Sequence, residues 1–258
     1  MKQGKVRPRS PVYGWLPDLP DKRDWLYGVV RRLPRLPRRT DLRAICSVVE
    51  DQGELGSCTA NALAGALEFL ERKNGVSYED RSRLFIYYNE RAIIHTIGED
   101  SGAMLRDGIK TLVKQGACSE DIWPYYTGKF AVRPPAACYR DARDHQITSY
   151  HRILAVPQMK ACLAEGFPFV FGFMVYESFE SARTVRTGVV NLPGRKESAL
   201  GGHAVMAVGY DDGARRFLVR NSWGTGWGMD GYFTMPYEYL ENRGLSDDFW
   251  TIRAGEGM

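Results

Sequence analysis

From Cys58 to about residue 73, apolar side chains recur at threes and fours: Ala60, Leu63, Ala64, Leu67 and Leu70. That spacing predicts a helix with one apolar face. Ser57 stands where a cap belongs, and Asn74-Gly75 supplies the stop. Residues 81–95, with Leu84, Phe85, Tyr87, Tyr88 and Ile94, predict a second helix, and residues 103–115, closed by Gly116, a third. After Pro135 the period changes. Residues 145–150 and the apolar run 169–175 read as strands, with a short helix over 156–166 between them. Residues 203–210, 216–220 and 231–235 read as further strands, separated by Asp211-Asp212-Gly213 and the glycine-rich stretch 224–231. Val205, Ala207 and Gly209 alternate with the equally apolar Ala204, Met206 and Val208, so this sheet is expected to be covered on both faces. Helices followed by an antiparallel sheet predict an α+β protein of two lobes, 36–135 mainly helical and 136–258 mainly β.

Residues 1–35 follow no such period. Pro8, Pro11, Pro17, Pro20 and Pro34 exclude long helices, while Trp15, Leu16, Trp25, Leu26 and Tyr27 supply apolar anchors. Such a segment cannot offset its own chain entropy, so it is expected to lie extended on the folded body. Two placements stay open: a strap on the back of the domain, or an inhibitory segment across a cleft.

With 44% hydrophobic and 26% charged residues in 258, the chain has the composition of a globular protein. The net charge of +4 is concentrated in the first 43 residues, at Lys2, Lys5, Arg7, Arg9 and Arg31 to Arg43. Those arginines alternate with prolines and aliphatics, so no nucleic-acid partner is read from them. The five cysteines are scattered without a Cys-x-x-Cys pair, which argues against structural zinc and a disulfide framework. No metal and no cofactor is implied. No apolar run nears the ~18 residues of a membrane span, and no apolar core follows the basic start, so no secretory signal is read. A soluble monomer in a reducing compartment, cytoplasmic by default, is the expectation.

Cys58 lies at a loop–helix junction, where the partial positive charge of a helix N-terminus favours thiolate. A lone cysteine is ordinarily a small buried hydrophobe. A thiol nucleophile needs a base, a group orienting that base, and donors for an oxyanion. His203 follows Gly201-Gly202 at the head of an apolar strand, where an imidazole is otherwise hard to explain. Asn221 ends the next strand and can reach a neighbouring ring. Gln52, six residues before Cys58, can aim an N–H at the same centre.

Three blocks in this order carry a resemblance. Gln52-Gly53-x-x-Gly56-Ser57-Cys58, Gly202-His203-Ala204-Val205 and Asn221-Ser222-Trp223-Gly224-x-x-Trp227-Gly228 resemble the signature blocks of the papain family of cysteine peptidases, and Trp123-Pro124-Tyr125 resembles that family's Tyr-Pro-Tyr region. The resemblance covers roughly residues 36–252. It implies a papain-like two-lobe fold with a cleft between the lobes, as in a bacterial-type member with a short arm. It implies Cys58 as a thiolate nucleophile paired with a His203 imidazolium, Asn221 as orienter, and Gln52 with the Cys58 N–H as oxyanion hole. It further implies Ser101 and Gly102 as the edge pairing with a substrate backbone, Met104, Val175 and Ala204 as an apolar pocket, and Trp223 as a shield on the leaving-group side. The activity implied is hydrolysis of peptide bonds in peptide or protein substrates, as an endopeptidase, with residues 1–35 in the position of a zymogen's propeptide. The alternatives are a catalytically silent peptide-binding module and a Cys-His acyltransferase. Two departures stand out: Thr59 replaces the family's aromatic residue, and Leu55 replaces a cysteine, so the usual disulfide beside the nucleophile is absent.

Overall fold

The computed structural model describes residues 12–28, 36–77 and 79–254. Residues 1–11 and 29–35, with Lys2, Lys5, Arg7, Arg9, Arg31, Arg32 and Arg35, lie outside the described residues. The first lobe contains α1 (Cys58–Lys73), α2 (Arg83–Ile93) and α3 (Leu105–Lys114). The second is built on a sheet of β1 (Arg39–Asp41), β2 (Ser149–Arg152), β3 (Phe169–Tyr176), β4 (Ala199–Asp211), β5 (Arg216–Arg220), β6 (Tyr232–Pro236) and β7 (Ser246–Arg253). The order is β2-β7-β3-β4-β5-β6, with β1 added against β4, and all the pairings are antiparallel. The α+β class is therefore as expected, although β1, from the stretch expected to be mainly helical, joins the sheet. Among the described residues, no helix is long and apolar enough to cross a membrane.

The apolar spacing in α1 understates its position. Every residue from Cys58 to Glu71 is buried, not one face alone, because the helix packs against α2 and α3 on one side and β4 on the other. Burying its carboxylates requires partners. Glu68 accepts from Ser47 Oγ and the Arg81 N–H, and Glu71 accepts from Arg81 Nε at 2.9 Å and meets His145 Nδ1 at 2.9 Å. Ser57 precedes the helix, yet its hydroxyl caps nothing. It is drawn sideways to Tyr125 OH at 2.5 Å and to Asn61 Nδ2.

Two differences from the expected elements have clear reasons. The strand expected over 145–150 begins only at Ser149, because residues 142–145 close into a 3-10 turn where His145 reaches Glu71. Strand β7 was not expected, since Asp247 and Asp248 interrupt its apolar pattern. Asp248 has φ 57°, at an irregularity where β7 pairs with β3 between Val170 and Gly172.

The two faces of β3 serve different ends. Phe169, Phe171, Phe173 and Val175 point into the core of the β lobe, with Phe179 and Phe233. Gly172 and Met174 face the other way, opposite Ala204 and Gly202 of β4. Residues 12–18 lie against this second face. Trp15 N–H donates to Gly202 O at 2.9 Å, Ala103 N–H to Gly14 O at 2.8 Å, and Leu16 N–H to Ala103 O at 2.9 Å. Trp15 thus bridges Ala103 in parallel sense, between the head of β4 and the loop entering α3. Further on, Tyr27 N–H donates to Arg152 O, and Arg152 N–H to Trp25 O, on the outer edge of β2.

Candidate active site

Cys58 opens α1 and is fully buried. The loop before it lacks a disulfide and is held by a carboxylate. Asp100 accepts the Gly56 N–H at 3.0 Å with both oxygens and also accepts from Tyr87 OH. On the other side Tyr125 OH donates to Gln52 O at 3.0 Å while touching Ser57 Oγ. Asp100 sits in a polar loop that reads as solvated, so nothing in the sequence pattern distinguished it. Thr59, where the family has a ring, donates to Glu90 Oε1 at 2.6 Å. Glu90 is entirely buried, and burial raises its pKa to about 8, against the opposing hydrogen bond from Thr59.

His203 lies on β4 and Asn221 just beyond β5, which pairs with β4. Nε2 of His203 is 2.8 Å from Oδ1 of Asn221. The Trp223 ring lies 5.0 Å from the imidazole at 33°, and Phe173 closes the opposite flank at 5.7 Å. Among the described residues, His203 Nδ1 makes no hydrogen bond. Gln52 is fixed from both ends: its N–H donates to Ser222 O at 2.8 Å and its Oε1 accepts from Ser222 Oγ at 2.7 Å. This leaves Nε2 to donate to Leu55 O and, at 3.2 Å, to the carbonyl of Val12. Gln52, Cys58, His203 and Asn221, separated by up to 169 residues in sequence, thus meet where the two lobes join.

The electrostatics depart from the expected ion pair. Desolvation pushes the Cys58 thiol up to about 12, against backbone hydrogen bonding from Ala204 and Gly14. Desolvation also takes His203 down to about 4, against the hydrogen bond to Asn221. Burial disfavours both charges, so with residues 12–18 seated the neutral thiol and imidazole are the favoured pair rather than thiolate and imidazolium.

The expected substrate contacts are placed unevenly. Gly102 and Met104 flank Ala103, and it is Ala103 that offers both backbone groups to the bridging segment. Ser101 turns its hydroxyl to Thr96 Oγ at 2.7 Å and to Gly102 O, away from that edge. Ala204 faces the cleft opposite Gly172. Val175 does not line the pocket: strand alternation sends it into the β-lobe core with Phe173 and Phe179, and Gly172 forms the wall instead.

Residues 36–250 match the model of the papain family of cysteine proteases. The chain belongs to that family. An uncharacterized peptidase C1-like protein of Acanthamoeba polyphaga mimivirus is 42% identical over 271 residues, covering 95% of this chain and 87% of that protein. Xylellain, a cysteine protease from Xylella fastidiosa, is 44% identical with TM-score 0.87, covering 94% of this chain and 96% of its own. Cathepsin B-like CP2 of Giardia intestinalis is 30% identical over 77% of this chain and 65% of that protein. This papain-family chain is accordingly a cysteine peptidase, a hydrolase with peptide substrates.

Proposed function

We propose that this peptidase is an endopeptidase acting through a Cys58 thioester, and that residues 12–18 hold it latent as an intramolecular block. The observation that carries this is the occupancy of the cleft by the chain's own backbone. Val12 presents a carbonyl to Gln52 Nε2, and Gly14 and Leu16 take both backbone groups of Ala103. A substrate would use the same donors and acceptors.

Once the segment leaves, water reaches the thiol and imidazole and the desolvation that disfavours their charges is relieved. The α1 N-terminus then favours thiolate, and Asn221 Oδ1 holds the ring through Nε2, which leaves the unpartnered Nδ1 as the nitrogen that would pair with the sulfur. Cys58 Sγ attacks the peptide carbonyl, whose developing oxyanion takes a side-chain N–H of Gln52 Nε2, freed from Val12 O, and the backbone N–H of Cys58. His203 passes its proton to the leaving amine as the C–N bond breaks, and water then hydrolyses the thioester with His203 as base. On this reading Met104, Ala204 and Trp223 would line the path of the substrate. Endo-cleavage is favoured because residues 12–18 thread the cleft without interruption, and a cleft closed at one end would not admit them. An amide orienter at Asn221, rather than a carboxylate, disfavours the acyltransferase alternative.

Cys58→Ala should abolish peptide cleavage while leaving the fold intact by circular dichroism, and E-64 should add once to the unmodified chain at Cys58. Cleavage by the alanine variant, or labelling elsewhere, would refute the assignment.

A further inference from the structure

The side chain that occupies the cleft is as informative as the backbone. Trp15 is 6% exposed, and its indole lies on two glycines. A Cβ at Gly172 would fall 1.9 Å from the indole Cε2, and one at Gly202 would fall 2.8 Å from Cε3. With Ala204 opposite Gly172, the cleft face of β3 and β4 forms a slot the thickness and breadth of a bicyclic ring. At its end stands Asp248, itself 1% exposed, whose Oδ2 accepts the indole N–H at 3.1 Å. None of these residues except Ala204 belongs to the reacting set or its expected pocket.

The charges facing Asp248 decide what the slot prefers. Arg152 Nη2 lies 3.0 Å from its Oδ1 and 3.2 Å from Asp247, which also pairs with Arg243. Asp18, beside Asp248, accepts the Arg106 N–H and the Trp250 indole N–H, and Arg106 and Arg152 also hold Asp24. When residues 12–18 leave, Asp18 leaves with them, while Asp24 lies beyond that segment and still holds Arg106 and Arg152. Asp248 keeps its pair with Arg152, and Asp247 its pairs with Arg152 and Arg243, so a further cation would find each carboxylate already paired. A neutral donor needs no free charge, and Asp248 Oδ2 would have lost two donors, the Trp15 indole and the Asp18 N–H at 2.7 Å.

We propose that Asp248, at the end of a glycine-walled slot, makes this peptidase selective for tryptophan at the substrate residue whose backbone pairs with Ala103. This deepens the reading of the cleft as a peptide site and rests on it. The slot's breadth excludes no aliphatic residue but leaves it half filled. The carboxylate separates tryptophan from rings of the same size that lack a donor.

The test uses the full-length Gly14→Ala/Trp15→Ala chain, in which a Cβ against Gly56 O unseats the segment and the slot is emptied, and short acetylated peptides differing only at that position. Binding is read by competition against a fluorescent peptide, and hydrolysis separately by mass spectrometry. Tryptophan should bind about tenfold more tightly than 3-benzothienylalanine, an isostere without the N–H, as expected for one hydrogen bond to a charged acceptor. Arginine and leucine should bind no better than the isostere, and Asp248→Asn should erase the tryptophan advantage. Equal binding of tryptophan and its isostere, tighter binding of arginine, or no binding of any peptide overturns the proposal. Selective binding without cleavage would instead refute the peptidase mechanism and leave the slot assignment standing. If that double variant does not fold, Trp15→Phe in the full chain keeps a ring in the slot but removes the donor. It should raise the rate of Cys58 labelling by iodoacetamide about tenfold, and an unchanged rate counts against Asp248.

Discussion

Gly14 gives the sharpest handle on the segment across the cleft. A Cβ placed there would lie 1.7 Å from Gly56 O and 2.4 Å from Gly56 C. Gly56 cannot yield easily, because Asp100 holds its N–H. Gly14 itself is not in the left-handed region, so alanine strains no backbone there and acts only through contact. A carbon–oxygen contact needs roughly 3.3 Å, so in Gly14→Ala the segment must retreat by roughly 1.5 Å. That distance breaks the backbone bonds of Gly14 and Leu16 to Ala103 and of Trp15 to Gly202. At about 0.5–1.5 kcal/mol net for each of the three bonds, docking weakens by about 1.5–4.5 kcal/mol, roughly a 12- to 1,600-fold shift toward the open cleft. The substitution lies outside every group assigned to the chemistry, so the open form keeps its full complement. The assay is pseudo-first-order labelling of Cys58 by E-64, followed by intact mass, beside hydrolysis of an internally quenched peptide. Both rates should rise at least tenfold, within the ceiling set by complete opening. Unchanged rates with a lowered melting temperature would show that these residues brace the fold without gating the cleft.

Three further outcomes follow from other parts of the site. Asn221→Ala leaves His203 Nε2 without its 2.8 Å partner, and the Gly14→Ala form carrying it should lose roughly tenfold or more in kcat/KM at unchanged circular dichroism. Asp100→Ala removes the acceptor of Gly56 N–H and Tyr87 OH. It should destabilise the chain by roughly 1–3 kcal/mol in urea denaturation, with Asp100→Asn recovering part of that loss, and equal stability of all three chains would refute a role for Asp100 in fixing the loop. Glu90 has a folded pKa raised to about 8 by burial, so the folded chain binds an extra proton between its ordinary range and that value. Stability therefore falls as pH rises from about 5 to 8, and Glu90→Gln should flatten that part of the melting profile, whereas an unchanged slope would contradict the assignment.

Local pattern was enough for much of this molecule. The period of α1, the stop at Asn74-Gly75, and the strands at 169–175, 203–210 and 216–220 are set by side chains within each stretch, and the structure keeps them within a residue or a few. The order of Gln52, Cys58, His203 and Asn221 with their neighbouring glycines and Trp223 marked out the residues proposed to carry the chemistry, because each of them has its own local turn or strand start. Three things depended on contacts between distant segments. Whether residues 12–18 bind the back or the cleft turns on Gly14 fitting between Gly56 and Gly102, a steric match between chain positions far apart. The charge state of Cys58 and His203 turns on burial, which no residue spacing encodes. Asp100 and Asp248 look like ordinary surface acids in sequence. Only the fold turns the exposed Asp100 toward Gly56 and closes Asp248 beneath Trp15, where removal from water makes the hydrogen-bond partners of Asp248 decisive.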